Sequence, residues 1–132
     1  MNVLMSIKPC FVEKIISFEK IYELRRTIFK KEVEHVVIYS SAPEKKIVGY
    51  FSPEINKDTP QNIWDELYEH LGIDYDDFFD YFSGKDIGFA LKINNLKIFE
   101  EAIDTRDFDN FKAPQSFKYL NNNETEVIMR QL

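Results

Sequence analysis

The sequence predicts an α+β fold: a mostly antiparallel β-barrel flanked by helices and interrupted by a two-helix insertion. Two β-rich runs, EHVVIYSS at 34–41 and KKIVGYFSPEI at 45–55, are joined by the short turn Ala42-Pro43-Glu44, as in a hairpin. A pair of capped helices then intervenes before a further alternating run, DIGFALKI at 86–93. The resulting order lacks the regular strand–helix alternation of a parallel α/β sheet. The 132 residues suit one domain, 1–132, with the insertion at about 59–84.

The elements follow in order. Asn2 to Ile7 carries Val3, Leu4, Met5 and Ile7 and reads as a first strand. Pro9 suits the first turn of a helix, and Phe11, Val12, Ile15 and Ile16 fall on one face of the segment Pro9–Phe18. Tyr22–Arg26 reads as the second strand. Thr59-Pro60 supplies an N-cap and a first-turn proline. An apolar stripe follows through Ile63, Trp64, Leu67, Tyr68 and Leu71 up to Gly72. Asp74 caps a second helix through Phe82, closed by Gly84. In 86–93, Ile87, Phe89, Leu91 and Ile93 share a face, and 96–103 reads as a separate strand. From APQSFKYL to Leu132 the chain reads as loops and a short terminal helix.

Composition excludes several classes. Twelve Phe and seven Tyr supply bulky core material, so the chain folds rather than staying disordered. No apolar run is long enough to span a bilayer, and MNVLMSIKP lacks the form of a signal peptide, so a cytoplasmic protein without a membrane partner is expected. With one cysteine, Cys10, and two histidines, His35 and His70, neither a disulfide framework nor a cysteine zinc site can form; no metal and no cofactor is expected. Asp74, Asp76, Asp77 and Asp80 lack the spacing and internal glycine of a calcium loop and suit a helix first turn instead. No glycine-rich phosphate loop or serine-hydrolase elbow appears. The net charge of −6 is uneven: residues 1–51 hold nine Lys/Arg against six Asp/Glu, whereas 52–132 hold eight against seventeen. Such a chain does not coat a long phosphate backbone, although its basic first third could hold one or a few nucleotides.

Charge concentrates in FEKIYELRR, residues 18–26, where five of nine side chains are ionised. Strand parity puts Glu23 and Arg25 on one face, opposite Tyr22 and Leu24. If Leu24 and Ile7 point into the core, the charged residues face away from it. Two readings stay open on spacing alone. They form a solvated ion-pair face, which contributes little to stability, or they wall a cleft beside the first helix together with Lys8.

The run SIKPCFVEKIISFEKIYELRR resembles the start of ASCH domains, of the PUA-like superfamily. That family's signature is G-x-K-x-x-E-x-R; Lys20, Glu23 and Arg25 match its charged positions, and Phe18 stands where the glycine belongs. The runs VVIYSSAPEKKIVGYF and APQSFKYL resemble a small stand-alone branch described as predicted regulators. The resemblance implies a PUA-like barrel with the motif lining a cavity, and raises the cleft reading above the exposed one. It implies binding of RNA, a nucleotide or a modified nucleoside. Lys8, Lys20, Glu23, Arg25 and Arg26 are then candidate contacts, with Tyr39 or Tyr50 stacking on a base. Some small bacterial relatives are amidohydrolases acting on N4-acetylcytidine, and a ribonuclease activity is also associated with the family. The amidohydrolases use a lysine, a threonine three residues later and a separate glutamate. Lys20 matches the lysine but Glu23 occupies the threonine position, so the residues favour binding, with Lys20 and Glu23 as the catalytic pair if there is hydrolysis. A third reading is an interaction module, since Trp64, Tyr68, Tyr75, Phe78, Phe79 and Phe82 could expose a patch for a protein partner or a homodimer.

Overall fold

Alternation in the first residues produces β1 (Asn2–Ile7), with Val3, Met5 and Ile7 packed in one apolar cluster and Leu4 in another. The computed structural model describes residues 1–130, apart from the side chain of Asp107; Gln131 and Leu132, the end of the expected terminal segment, lie outside the described residues. Helix α1 (Pro9–Ile16) starts with Pro9 in its first turn, where a missing N–H is harmless, and buries Val12 and Ile15. It stops two residues earlier than its apolar spacing suggests, leaving Ile16 exposed, because Phe18 adopts a left-handed φ of 66°. This is the position of the signature's glycine, and a left-handed residue after a helix end is where glycine is favoured.

Strands β2 (Tyr22–Arg25), β3 (His35–Ser40) and β4 (Lys46–Asp58) follow. Helix α2 (Pro60–Leu67) is capped by the Thr59 hydroxyl, which accepts from the Asn62 N–H at 3.2 Å. A 3-10 turn at Tyr68–His70 leads to Gly72, and α3 (Tyr75–Tyr81) is capped by the Asp74 carboxylate, which accepts from the Asp77 N–H at 2.9 Å. After Gly84 comes β5 (Gly88–Asp104), a 3-10 turn (Thr105–Asp107), β6 (Phe117–Tyr119) and α4 (Asn122–Met129).

Two expectations need correction here. The runs 86–93 and 96–103 are one strand, β5, because Asn95 takes a left-handed φ of 53° and bends the chain without ending the ladder. Ile87 lies before that strand and is exposed, whereas Phe89, Leu91 and Ile93 pack on the inner cluster as alternation requires. Residues Phe117–Tyr119, read as loop, form β6 against β1; three residues are too few to show a period of two.

The six strands form one sheet in the order β2-β5-β4-β3-β1-β6, parallel between β1 and β3 and antiparallel elsewhere. It curls into a half-barrel with β2 and β6 at its edges. Register shifts at Ile47/Gly49 and Tyr50/Ser52 bend β4 across β5. At Gly49 the strands approach so closely that a Cβ would sit 2.2 Å from the Lys97 carbonyl oxygen. The inner face carries Val3, Met5, Val36, Ile38, Phe51 and Leu91, with α1 packed against it. The insertion covers the outer face of β2 and β5, where Leu24 and Ala90 meet Ile63, Leu71, Phe78 and Phe82. Leu24 and Ile7 therefore do not share a core. The insertion provides a second apolar layer for Leu24, and Glu23 and Arg25 turn inward toward the half-barrel. Among the described residues no helix is long and apolar enough to cross a membrane.

Candidate functional site

Where α1, the start of β2 and the insertion meet the half-barrel, there is a cavity of about 520 Å³. Its charged lining consists of Lys8, Lys20, Arg25 and Lys45 against the single carboxylate of Glu23. Glu23 lies opposite Leu91 in the β2–β5 register and Arg25 opposite Phe89, so period-two alternation directs both to the inner face. Lys20 precedes β2 in a segment held by backbone bonds from the Lys20 N–H to the Lys14 carbonyl at 3.0 Å and from the Ile21 N–H to the His70 carbonyl at 2.8 Å.

Lys20 is 3% exposed. Its Nζ donates to the Leu71 carbonyl at 2.9 Å, lies 3.5 Å from Glu23 Oε1 and stands 5.1 Å from the centre of the Phe11 ring. Burial pushes its pKa below the ordinary lysine value of 10.5, while the Glu23 charge and hydrogen bond oppose the shift without cancelling it. Glu23 Oε2 accepts from Arg25 Nη2 at 2.6 Å. The same Nη2 donates to the Ser6 carbonyl at 2.8 Å, and Nη1 donates to the Ser116 hydroxyl at 3.2 Å. Arg25 thus reaches from edge strand β2 to β1 and to the segment leading into the other edge strand, β6. It spans the open seam of the half-barrel and holds the Glu23 carboxyl oxygens as acceptors beside the Lys20 donor.

The arrangement gathers five of the seven sequence-derived candidates, Lys8, Lys20, Glu23, Arg25 and Tyr39, around one cavity. Arg26 and Tyr50 stand outside it. Arg26 follows Arg25 and so points away, with Nη2 donating to the Ser83 carbonyl at 3.3 Å. Tyr50 packs against His35 and Phe99, with ring centres 5.1 Å and 6.0 Å away. Tyr39 borders the cavity but is 3% exposed, its ring 5.4 Å from Phe111, and so has little free face for stacking. The aromatic wall comes instead from Phe11 and from Tyr81, whose hydroxyl donates to the Leu24 carbonyl at 3.1 Å. Burial raises the Tyr81 pKa above its ordinary 10.0. Phe11 had a sequence signal, its place on the apolar face of α1. Lys45, Ile73 and Tyr81 had none, because a turn and a distant insertion bring them to the site. Among the described residues no group of three or more His, Cys, Asp or Glu side chains is arranged to hold a metal ion.

No family model matches the chain. Two curated relatives, both named large ribosomal subunit protein uL22 and from two strains of Ureaplasma parvum serovar 3, are 26% identical over 110 residues. The match covers 83% of this chain and 33% of the relatives, so the chain spans about a third of their length. Among solved structures, the N-terminal domain of Staphylothermus marinus McrB has a TM-score of 0.63 at 10% identity, covering 98% of this chain and 93% of that one. The crystal structure of ASCH from Zymomonas mobilis superposes with a TM-score of 0.87 over 98% of this chain and 94% of that one, at 24% identity. In its six-stranded curled sheet and flanking helices, this chain has the ASCH fold.

Proposed function

We propose that the cavity binds an unpaired nucleotide of RNA, with the base beside Lys20 and Glu23 and the phosphate at the rim. The observation that carries this reading is the charge of the lining, four cations against one carboxylate, in a chain whose net charge is −6. Its volume of about 520 Å³ falls within the roughly 300–1,000 Å³ common for small-ligand sites. The donor of Lys20 and the acceptor of Glu23 are adjacent, as are the carbonyl and amine on the edge of a nucleobase. Lys8 and Lys45 at the mouth suit phosphate oxygens. The names of the ribosomal relatives, matched over a third of their length, add weight to an RNA setting. A duplex does not suit the site, since reaching a cavity requires a base already unstacked.

One observation favours a second reading, amide hydrolysis of an acylated nucleoside: the buried Lys20 amine, with its lowered pKa, borders the same cavity as a carboxylate. Calorimetric titration with a short single-stranded oligoribonucleotide and acetate release from N4-acetylcytidine separate the two. Binding predicts a saturable titration with no acetate, and affinity about threefold to tenfold weaker in Lys8→Ala and Lys45→Ala through loss of phosphate contacts. Acetate release by the parent protein, abolished in Lys20→Met, replaces binding with hydrolysis. No titration and no acetate refutes both.

A further inference from the structure

We infer that the outer face of the insertion is a docking surface for a Lys/Arg-rich polypeptide segment. Residues 59–84 contain seven Asp/Glu and no Lys or Arg, whereas the rest of the chain holds seventeen Lys/Arg against sixteen Asp/Glu. The net charge of the protein therefore resides in this one segment. Within it, Trp64 lies against Tyr68, Tyr75 and Phe79, with ring centres 5.7, 5.5 and 6.2 Å away, and Tyr75 and Phe79 are 4.6 Å apart. Tyr68 is 50% exposed and Tyr75 53%, so the cluster opens to solvent although Phe78 beneath it is buried.

The carboxylates follow the rings in sequence. Rings at 64 and 68 and at 75 and 79 are each succeeded by a carboxylate, at 65 and 69 and at 76 and 80. All four of these carboxylates are exposed, and no Lys or Arg forms an ion pair with any of them among the described residues. Asp76 lies in the first turn of α3, where a carboxylate is favoured, but Asp65 and Asp80 stand in the last turns of α2 and α3, where the helix dipole disfavours negative charge. Exposed aromatic faces on a segment whose exposed carboxylates lack cationic partners among the described residues suit guanidinium and ammonium groups, which gain both cation–π and ionic attraction there. A second copy of this chain is the poorer occupant, because it would bring two strongly acidic faces together. RNA is repelled for the same reason, and the cations that line the basic cavity, Lys8, Lys20, Arg25 and Lys45, all lie outside the insertion.

Trp64 is the sole tryptophan, so its fluorescence reports on this patch. Titration with a dodecapeptide of alternating Arg and Ala at physiological salt should change that emission saturably, and the corresponding Glu–Ala peptide should not. Replacing Asp65, Glu69 and Asp80 with their amides should weaken binding about tenfold, and Tyr68→Ser with Tyr75→Ser about fivefold or more. Tyr68→Phe with Tyr75→Phe keeps the rings and should bind like the parent, and circular dichroism checks that each variant is folded. Absence of a saturable change in the parent overturns the inference, as does binding that folded serine variants retain in full. Mass growth with concentration that the serine variants abolish would assign the face to self-association instead.

Discussion

Arg25 offers the sharpest test of how the half-barrel is closed. Replacing it with alanine removes the 2.6 Å bond to Glu23, the 2.8 Å bond to the Ser6 carbonyl and the 3.2 Å bond to the Ser116 hydroxyl. The Arg25 side chain is 12% exposed and that of Glu23 7%, so the pair is shielded from solvent. Truncating one partner of such a pair costs about 3–5 kcal/mol, chiefly because the other charge stays buried. Lys20, 3.5 Å from the same carboxylate, still offsets part of that charge and places the expected loss near the lower end. With a urea slope of about 2 kcal/mol per molar, the midpoint should fall by roughly 1.5 M while the slope is unchanged. Arg25→Lys keeps the charge but cannot make all three contacts, and should lose about half as much. Adding Glu23→Gln to Arg25→Ala removes the stranded charge, and the double-mutant cycle should give a coupling of about 1–3 kcal/mol. A loss below about 1 kcal/mol for Arg25→Ala, or a coupling indistinguishable from zero, would show that the seam is held by the strands alone.

Further outcomes follow from single positions. Lys20 binds its proton less tightly when folded, so between its lowered folded pKa and 10.5 the unfolded chain holds more protons and stability rises with pH. Urea titrations at increasing pH should show the parent gaining stability relative to Lys20→Met across that window, and a difference that is flat or falls would refute the shift. Phe18→Gly should stabilise the fold by about 0.5–1 kcal/mol, because relief of a left-handed φ of 66° outweighs the added freedom of the unfolded chain; a destabilised variant would contradict this. Gly49→Ala should lower the thermal midpoint much more than Gly84→Ala. The first puts a methyl 2.2 Å from a backbone oxygen, at about 3 kcal/mol, and the second meets open space and only the strain of φ 81°, at about 1 kcal/mol. Asn121→Ala breaks the capping box of α4 and should cost about 1 kcal/mol in chemical denaturation.

The sequence by itself determined the local elements whose signals are local. Thr59-Pro60 and Asp74 begin helices because their side chains satisfy nearby N–H groups. Gly72 and Gly84 follow the insertion's helical segments because left-handed residues are easiest for glycine. Alternation likewise put Glu23 and Arg25 together on one face, and the charged motif marked that face as unusual. Which way the face points was not legible, since period two distinguishes the sides of a strand without saying which is covered. That was decided by the insertion, which takes Leu24 on the outside and leaves Glu23 and Arg25 facing inward. The continuity of β5 through Asn95 and the pairing of β6 with β1 depend on partners distant in the chain, so propensity could not announce them. The same holds for the cavity. Lys20 is buried where the Leu71 carbonyl, fifty-one residues away, accepts from its Nζ, and Arg25 spans a seam to Ser116, ninety-one residues away. Side-chain chemistry can be read along a chain, but the surroundings that desolvate it and set its charge are assembled only by long-range packing.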